Sequence, residues 1–160
     1  MEVLHKEAER EGINANALLN RILKDFSEFH RFSQRFGIVS LSVPTLSILI
    51  NCCSKEIIKD TADFSVHTVV EDGIRTIGFK PNYNTILFFI KNIFGGLAGW
   101  FECNHHIMND KETFHLRHSL GNNWSIFIAS VISKMFDNFL NEKVETEISK
   151  ASVTITRKRK

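Results

Sequence analysis

The tightest constraint on this fold lies in residues 5–29, where Gly12 separates a charged segment from a strongly periodic one. His5–Glu11 reads as a short, charged helix. Gly12 suits the left-handed backbone just past a helix C-terminus, where a Cβ clashes. Asn14 then suits the N-cap of a second helix, its side chain accepting from an otherwise unpaired backbone N–H. From there Leu18, Leu19, Ile22, Leu23, Phe26 and Phe29 recur at three- and four-residue steps, one apolar stripe on a helix. Two helices this short cannot bury that stripe between themselves. Either another chain or the rest of this one must cover it.

The pattern Ala8-x-x-x-Gly12-Ile13-Asn14-x-Asn16-Ala17-Leu18-Leu19-x-x-Ile22-Leu23 resembles the two helices of the ribbon-helix-helix (Arc-like) family of DNA-binding proteins. Proteins of that family are dimers in which each chain gives one strand to a ribbon in the major groove. The N-terminal amides of the second helix hold a phosphate. The resemblance implies phosphate contacts at Asn14, Ala15 and Asn16, and a dimer interface of Leu18, Leu19, Ile22, Leu23 and Phe26. It ends before residue 30, under a fifth of the 160 residues. The family's strand lies immediately before its first helix, whereas here the charged helix begins with the first residues, so no base-reading strand is expected ahead of it. Residues 1–36 set six Lys/Arg (Lys6, Arg10, Arg21, Lys24, Arg31, Arg35) against six Asp/Glu (Glu2, Glu7, Glu9, Glu11, Asp25, Glu28). That balance is not the basic footprint of a phosphate-backbone reader.

The remaining length suffices for one compact domain. Fourteen Phe supply much of its buried area, and a net charge of +2 steers toward neither nucleic acid nor membrane. Cys52, Cys53 and Cys103 form neither a disulfide framework nor a zinc spacing, which suits a reducing cytoplasm. The N-terminus is charged from Glu2 onward, unlike a signal peptide. Thr85–Phe101 is the most apolar window, but Lys91, Gly95, Gly96 and Gly99 interrupt it, well short of the roughly 20 residues of a membrane span.

The second helix is expected to continue past Phe29 through Phe32 and Phe36 to Gly37. A short strand is expected at Ile38–Ser42, a helix over Thr45–Asn51 opened by Ser42-Val43-Pro44, and another over Lys55–Phe64 capped by Ser54. Residues 65–80 fit a Gly-interrupted helix about as well as two short strands. Tyr83–Phe94 is apolar around most of its girth and is expected to be the central helix. Alternation then predicts a hairpin of Gly99–Ile107 and Glu112–His118. With Ile107 facing Glu112, Phe101, Cys103, His105 and Ile107 share a face with Phe114 and Leu116; Glu102, Asn104 and His106 share the other with Thr113, His115 and Arg117. A long helix over Trp124–Asn141 and two further strands, Val144–Ile148 and Ala151–Thr156, complete an α+β fold. The chain is thus read as an N-terminal helical hairpin, residues 1–36, followed by an antiparallel sheet covered by helices on one face, residues 37–160.

Chemistry-bearing clusters are few. Cys103, His105, His106, His115 and His118 lie within sixteen residues, yet Cys103 faces away from His106 and His115 and no metal spacing is matched. His118 through Trp124 joins strand to helix, and His118 and Trp124 are the candidate ligand contacts. The chain has no Gly-rich phosphate loop and no Gly-x-Ser-x-Gly elbow, so neither catalysis nor a cofactor is expected. Taken with the resemblance, the expectation is a cytoplasmic, homodimeric, DNA-binding regulator with a domain sensing a small-molecule ligand or a partner. The other reading is a sensor or scaffold that uses the N-terminal helices for dimerisation alone.

Overall fold

A computed structural model describes residues 2–31 and 40–159 of the chain. The protein is of mixed α+β class and divides into two compact units, residues 1–39 and 40–160.

The first unit holds α1 (Glu2–Arg10) and α2 (Ala15–Asp25), the latter running on as a π-helical turn over Phe26–His30. Gly12 takes φ +69° at the turn. The N–H of Ile13 closes back on the Ala8 carbonyl at 3.0 Å and that of Gly12 on Glu9 at 3.1 Å, satisfying the carbonyls that end α1. Asn14 is extended (φ −80°, ψ 156°) and its Oδ1 accepts from Ala17 N–H at 2.8 Å. Arg21 on α2 reaches Glu11 at 2.6 Å, pinning the helix to the turn. Among the described residues of this unit, Ala8 and Leu18 are buried. The expected run through Phe32 and Phe36 lies outside the described residues.

The second unit begins with irregular backbone at residues 40–42, where a strand was expected up to Ser42. Residues 38 and 39 lie outside the described range. Ser42 is committed to capping: its Oγ accepts from Thr45 N–H at 3.4 Å and opens α3 (Val43–Asn51), with Pro44 in the first turn. Ser54 opens α4 (Lys55–Ser65) in the same way, accepting from Ile57 N–H at 3.3 Å. Residues 66–77 are helical, as a π segment (Val66–Val70) followed by α5 (Glu71–Ile77), which Gly78 ends at φ +79°. Val66, Val70 and Ile74, four residues apart and so stacked along one side of the helix, are its buried row. Asn82 caps α6 (Tyr83–Phe88), which continues as a π segment over Phe89–Leu97.

Strands β1 (Glu102–Met108), β2 (Lys111–Arg117), β3 (Glu145–Ile148) and β4 (Ser152–Lys158) form one antiparallel sheet in the order β1-β2-β4-β3. Ile107 faces Glu112 across the two-residue turn at Asn109 and Asp110, with Asn109 left-handed at φ +54°. Phe114, Leu116, Val153 and Ile155 consequently face inward and are buried. The outer face carries Thr113, His115, Thr154 and Thr156, half-buried among one another. Helix α7 (Asn122–Leu140) lies between the sheet and α4, burying Ile128, Val131, Ile132, Met135 and Phe136. The central helix is therefore α7 and not the Tyr83–Phe94 segment. Lys91 and Asn92 need water, which leaves one side of that segment exposed.

Candidate functional site

The residues implied in dimerisation split by burial. Leu18 is covered within its own chain, whereas Leu19, Ile22, Leu23 and Phe26 stand 41 to 56% exposed along α2. Asn14 spends its side chain on Ala17, and the N–H groups of Ala15 and Asn16 have no acceptor among the described residues. The charges nearby are largely satisfied in pairs: Lys6 with Glu2, Arg10 with Glu7 and Arg21 with Glu11.

In the α+β unit, His118 directly follows β2 and lines a cleft of about 410 Å³ together with Val43, Gly95, Trp100, Glu102 and Arg117. Leu120 N–H donates to His118 Nδ1 at 3.2 Å. Nδ1 is thus the acceptor, and the proton sits on Nε2, which donates to Ser125 Oγ at 2.8 Å. Burial holds the imidazole below its ordinary pKa, so the neutral ring is the folded form. With Nε2 already carrying a proton, this pair positions the strand-to-helix turn and does not activate the serine. Trp124 stands one layer behind. Its indole N–H donates to the Trp100 carbonyl at 3.0 Å and its ring meets Trp100 edge-on, while Trp100 stacks on Phe94 at 4.3 Å. Of the two candidate ligand contacts, His118 lines the cleft and Trp124 supports it. Trp100 and Arg117 line it as well. Nothing in their local sequence distinguishes them, because the cleft forms only where β1 and β2 meet the end of the Phe89–Leu97 segment.

A second constellation occupies the inner face of the sheet at its other end. Glu112, 1% exposed, accepts from the Tyr83 hydroxyl, from His105 Nε2 at 2.6 Å and from Arg157 at 3.2 Å. Arg157 also faces Glu142 at 3.1 Å, and its guanidinium lies 4.5 Å from the Tyr83 ring centroid. His105 stacks on Phe114 at 4.5 Å. Burial, followed by the hydrogen bond to Glu112, pushes the Tyr83 phenol up to about 12. The cluster ties α6, β1, β2 and β4 together through one buried carboxylate, and Arg157 extends it to Glu142 just beyond α7. Strand parity was the available signal: Glu112 alternates with Phe114 and Leu116, and Arg157 with Val153 and Ile155. Among the described residues no three His, Cys, Asp or Glu side chains converge to hold a metal ion, and no helix is long and apolar enough to cross a membrane.

No protein-family model, curated protein or solved structure matches the chain.

Proposed function

We propose that the protein is a homodimeric, DNA-binding regulator whose α+β domain senses a small molecule. The observation that carries the reading is the exposed row Leu19, Ile22, Leu23 and Phe26 on α2. Such a row is a seam awaiting a partner helix, and the resemblance of residues 8–23 to ribbon-helix-helix proteins supplies one in a second copy. Asn14, Ala15 and Asn16 then present the start of α2 to a DNA phosphate. The cleft at His118, lined by Trp100 and by both Glu102 and Arg117, has the apolar and polar lining that suits a small organic ligand. A ligand preferring one dimer geometry shifts the affinity for DNA by the corresponding factor. Three free thiols fit a reducing cytoplasm.

A sensor or scaffold that does not bind DNA is the second reading. It is favoured by the pairing of Lys6, Arg10 and Arg21 with glutamates, which leaves the hairpin little free positive charge. Binding of the full chain to genomic DNA fragments, titrated with salt, separates the two. The regulator reading expects affinity to fall with a log–log slope of about −0.9 per phosphate contacted. A protein that dimerises yet shows no salt-dependent binding at low ionic strength leaves the scaffold reading standing.

A further inference from the structure

The two inner strands of the sheet meet in a repulsion. In the order β1-β2-β4-β3, Lys111 at the start of β2 stands directly opposite Lys158 at the end of β4. The hydrogen-bond phase of this ladder is fixed at both ends: Arg159 N–H donates to the Asp110 carbonyl at 2.7 Å, and His118 N–H to the Ala151 carbonyl at 3.0 Å. Both pairs keep the register of the ladder, so the odd-numbered residues of β4 bond to β2. Lys111 and Lys158 are therefore a non-hydrogen-bonded pair, the kind whose Cα atoms stand about 4.5 Å apart with their side chains closest. Like charges directly opposite destabilise a sheet. Lysines often guard sheet edges, but β2 and β4 are inner strands with no edge to guard.

The even-numbered residues of β4 turn the other way, toward β3, where Ser149 N–H donates to the Ser152 carbonyl at 2.9 Å. The β3 ladder begins with Glu145 opposite Thr156. Lys158 lies two residues beyond that last rung, and its N–H has no acceptor among the described residues. A hollow of about 360 Å³ opens here, lined by Lys111, Lys143, Glu145, Thr156, Arg157 and Lys158, with Glu142 beside Arg157. Its charges do not cancel. Arg157 is held between Glu112 and Glu142, at 3.2 and 3.1 Å. Lys111, Lys143 and Lys158 form no ion pair among the described residues, and Glu145 is the lining acid left to set against them. Asp110 and Arg159, opposite one another past the end of the ladder, leave that surplus of positive charge unchanged. Cations crowded in this way gain most from an anion placed between them.

We propose that this hollow binds the phosphate group of a small phosphorylated molecule. Lys111 and Lys158 take the phosphate oxygens between them, as lysines do in acting as point charges toward phosphate. Lys143 adds a third charge, and the Lys158 N–H adds a directed hydrogen bond. Thr156 and Glu145, one rung along, meet hydroxyls of the organic part. The volume is at the small end of ligand pockets, which fits a monoester of a few carbons. A DNA backbone carries the same group, but Glu145 and Glu147 are both exposed on β3 and repel a strand laid across the sheet. The site lies at the opposite end of the sheet from His118 and depends on neither dimerisation nor DNA binding.

Calorimetric titration of the full chain with β-glycerophosphate tests this, with glycerol and a short DNA duplex as comparison titrants. The expected result is saturable binding of β-glycerophosphate and none of glycerol. Lys111→Gln and Lys158→Gln each weaken it roughly tenfold, the loss of one charge-assisted hydrogen bond. Lys150→Gln, an equal change of charge in the exposed turn between β3 and β4, leaves it unchanged. Should a ladder variant fail to fold, Lys143→Gln, outside the strands, repeats the measurement. Absence of saturable binding at millimolar β-glycerophosphate overturns the proposal, as does a loss of affinity in Lys150→Gln equal to that in the ladder variants. Duplex binding that the ladder variants weaken, without binding of β-glycerophosphate, also overturns it and assigns the lysines to a nucleic-acid backbone.

Discussion

Replacing Glu112 by Ala is the sharpest probe of what holds the α+β unit together. The substitution strips a nearly fully buried carboxylate from Tyr83, His105 and Arg157 at once. Breaking a buried ion pair by removing one partner costs about 3–5 kcal/mol, chiefly because the other charge is left uncompensated. Here Glu142 stays 3.1 Å from Arg157 and retains part of the compensation, which places the expected loss near the lower end, about 3 kcal/mol. For a unit of this size that corresponds to a fall of roughly 10 °C in Tm. Glu112→Gln keeps an acceptor oxygen for Tyr83 and His105 and should lose less. Glu102→Ala, at the exposed start of β1, should stay within about 0.5 kcal/mol. Urea unfolding followed by tryptophan fluorescence is the natural assay, since Trp100 and Trp124 both lie in this unit. A loss under about 1 kcal/mol for Glu112→Ala refutes the idea that the cluster is a stabilising clamp.

Two further outcomes follow from the same geometry. Gly121 sits at φ +92°, and a Cβ there meets the Asn51 side chain at 2.9 Å. Gly121→Ala should therefore strain the backbone, displace Asn51 from Leu120 and cost about 1–3 kcal/mol; a Tm unchanged within error in a thermal melt contradicts this. The folded state favours neutral His118, so its contribution to stability is present above the unfolded pKa of about 6.5 and is lost as pH falls through the lower folded value. The urea midpoint should drop between pH 7.5 and 5, and less so in His118→Gln. Identical pH dependence in the two proteins assigns the effect elsewhere.

What the chain's order of residues determined by itself is the local punctuation. Gly12 and Asn14 end one helix and start the next, Ser42 with Pro44 and Ser54 open α3 and α4, and the β1–β2 register follows from alternation alone. Each of these signals acts within one helical turn or across one tight hairpin, so the residues carrying it are neighbours in sequence. Tertiary structure decided the rest. It made residues 66–77 helical because Val66, Val70 and Ile74 found a core to fill. It made α7 the central helix by laying the sheet on one side and α4 on the other. It gathered Tyr83, His105, Glu112 and Arg157, up to 74 positions apart, around one carboxylate. It also seated α3 with Leu46, Ser47 and Ile50 half-buried and Ile48 and Leu49 exposed, with Ser47 and Asn51 both donating to the Leu120 carbonyl. Capping and register are local energies that the sequence carries with it. Burial depends on which surfaces meet, and that is settled only when the whole chain has packed.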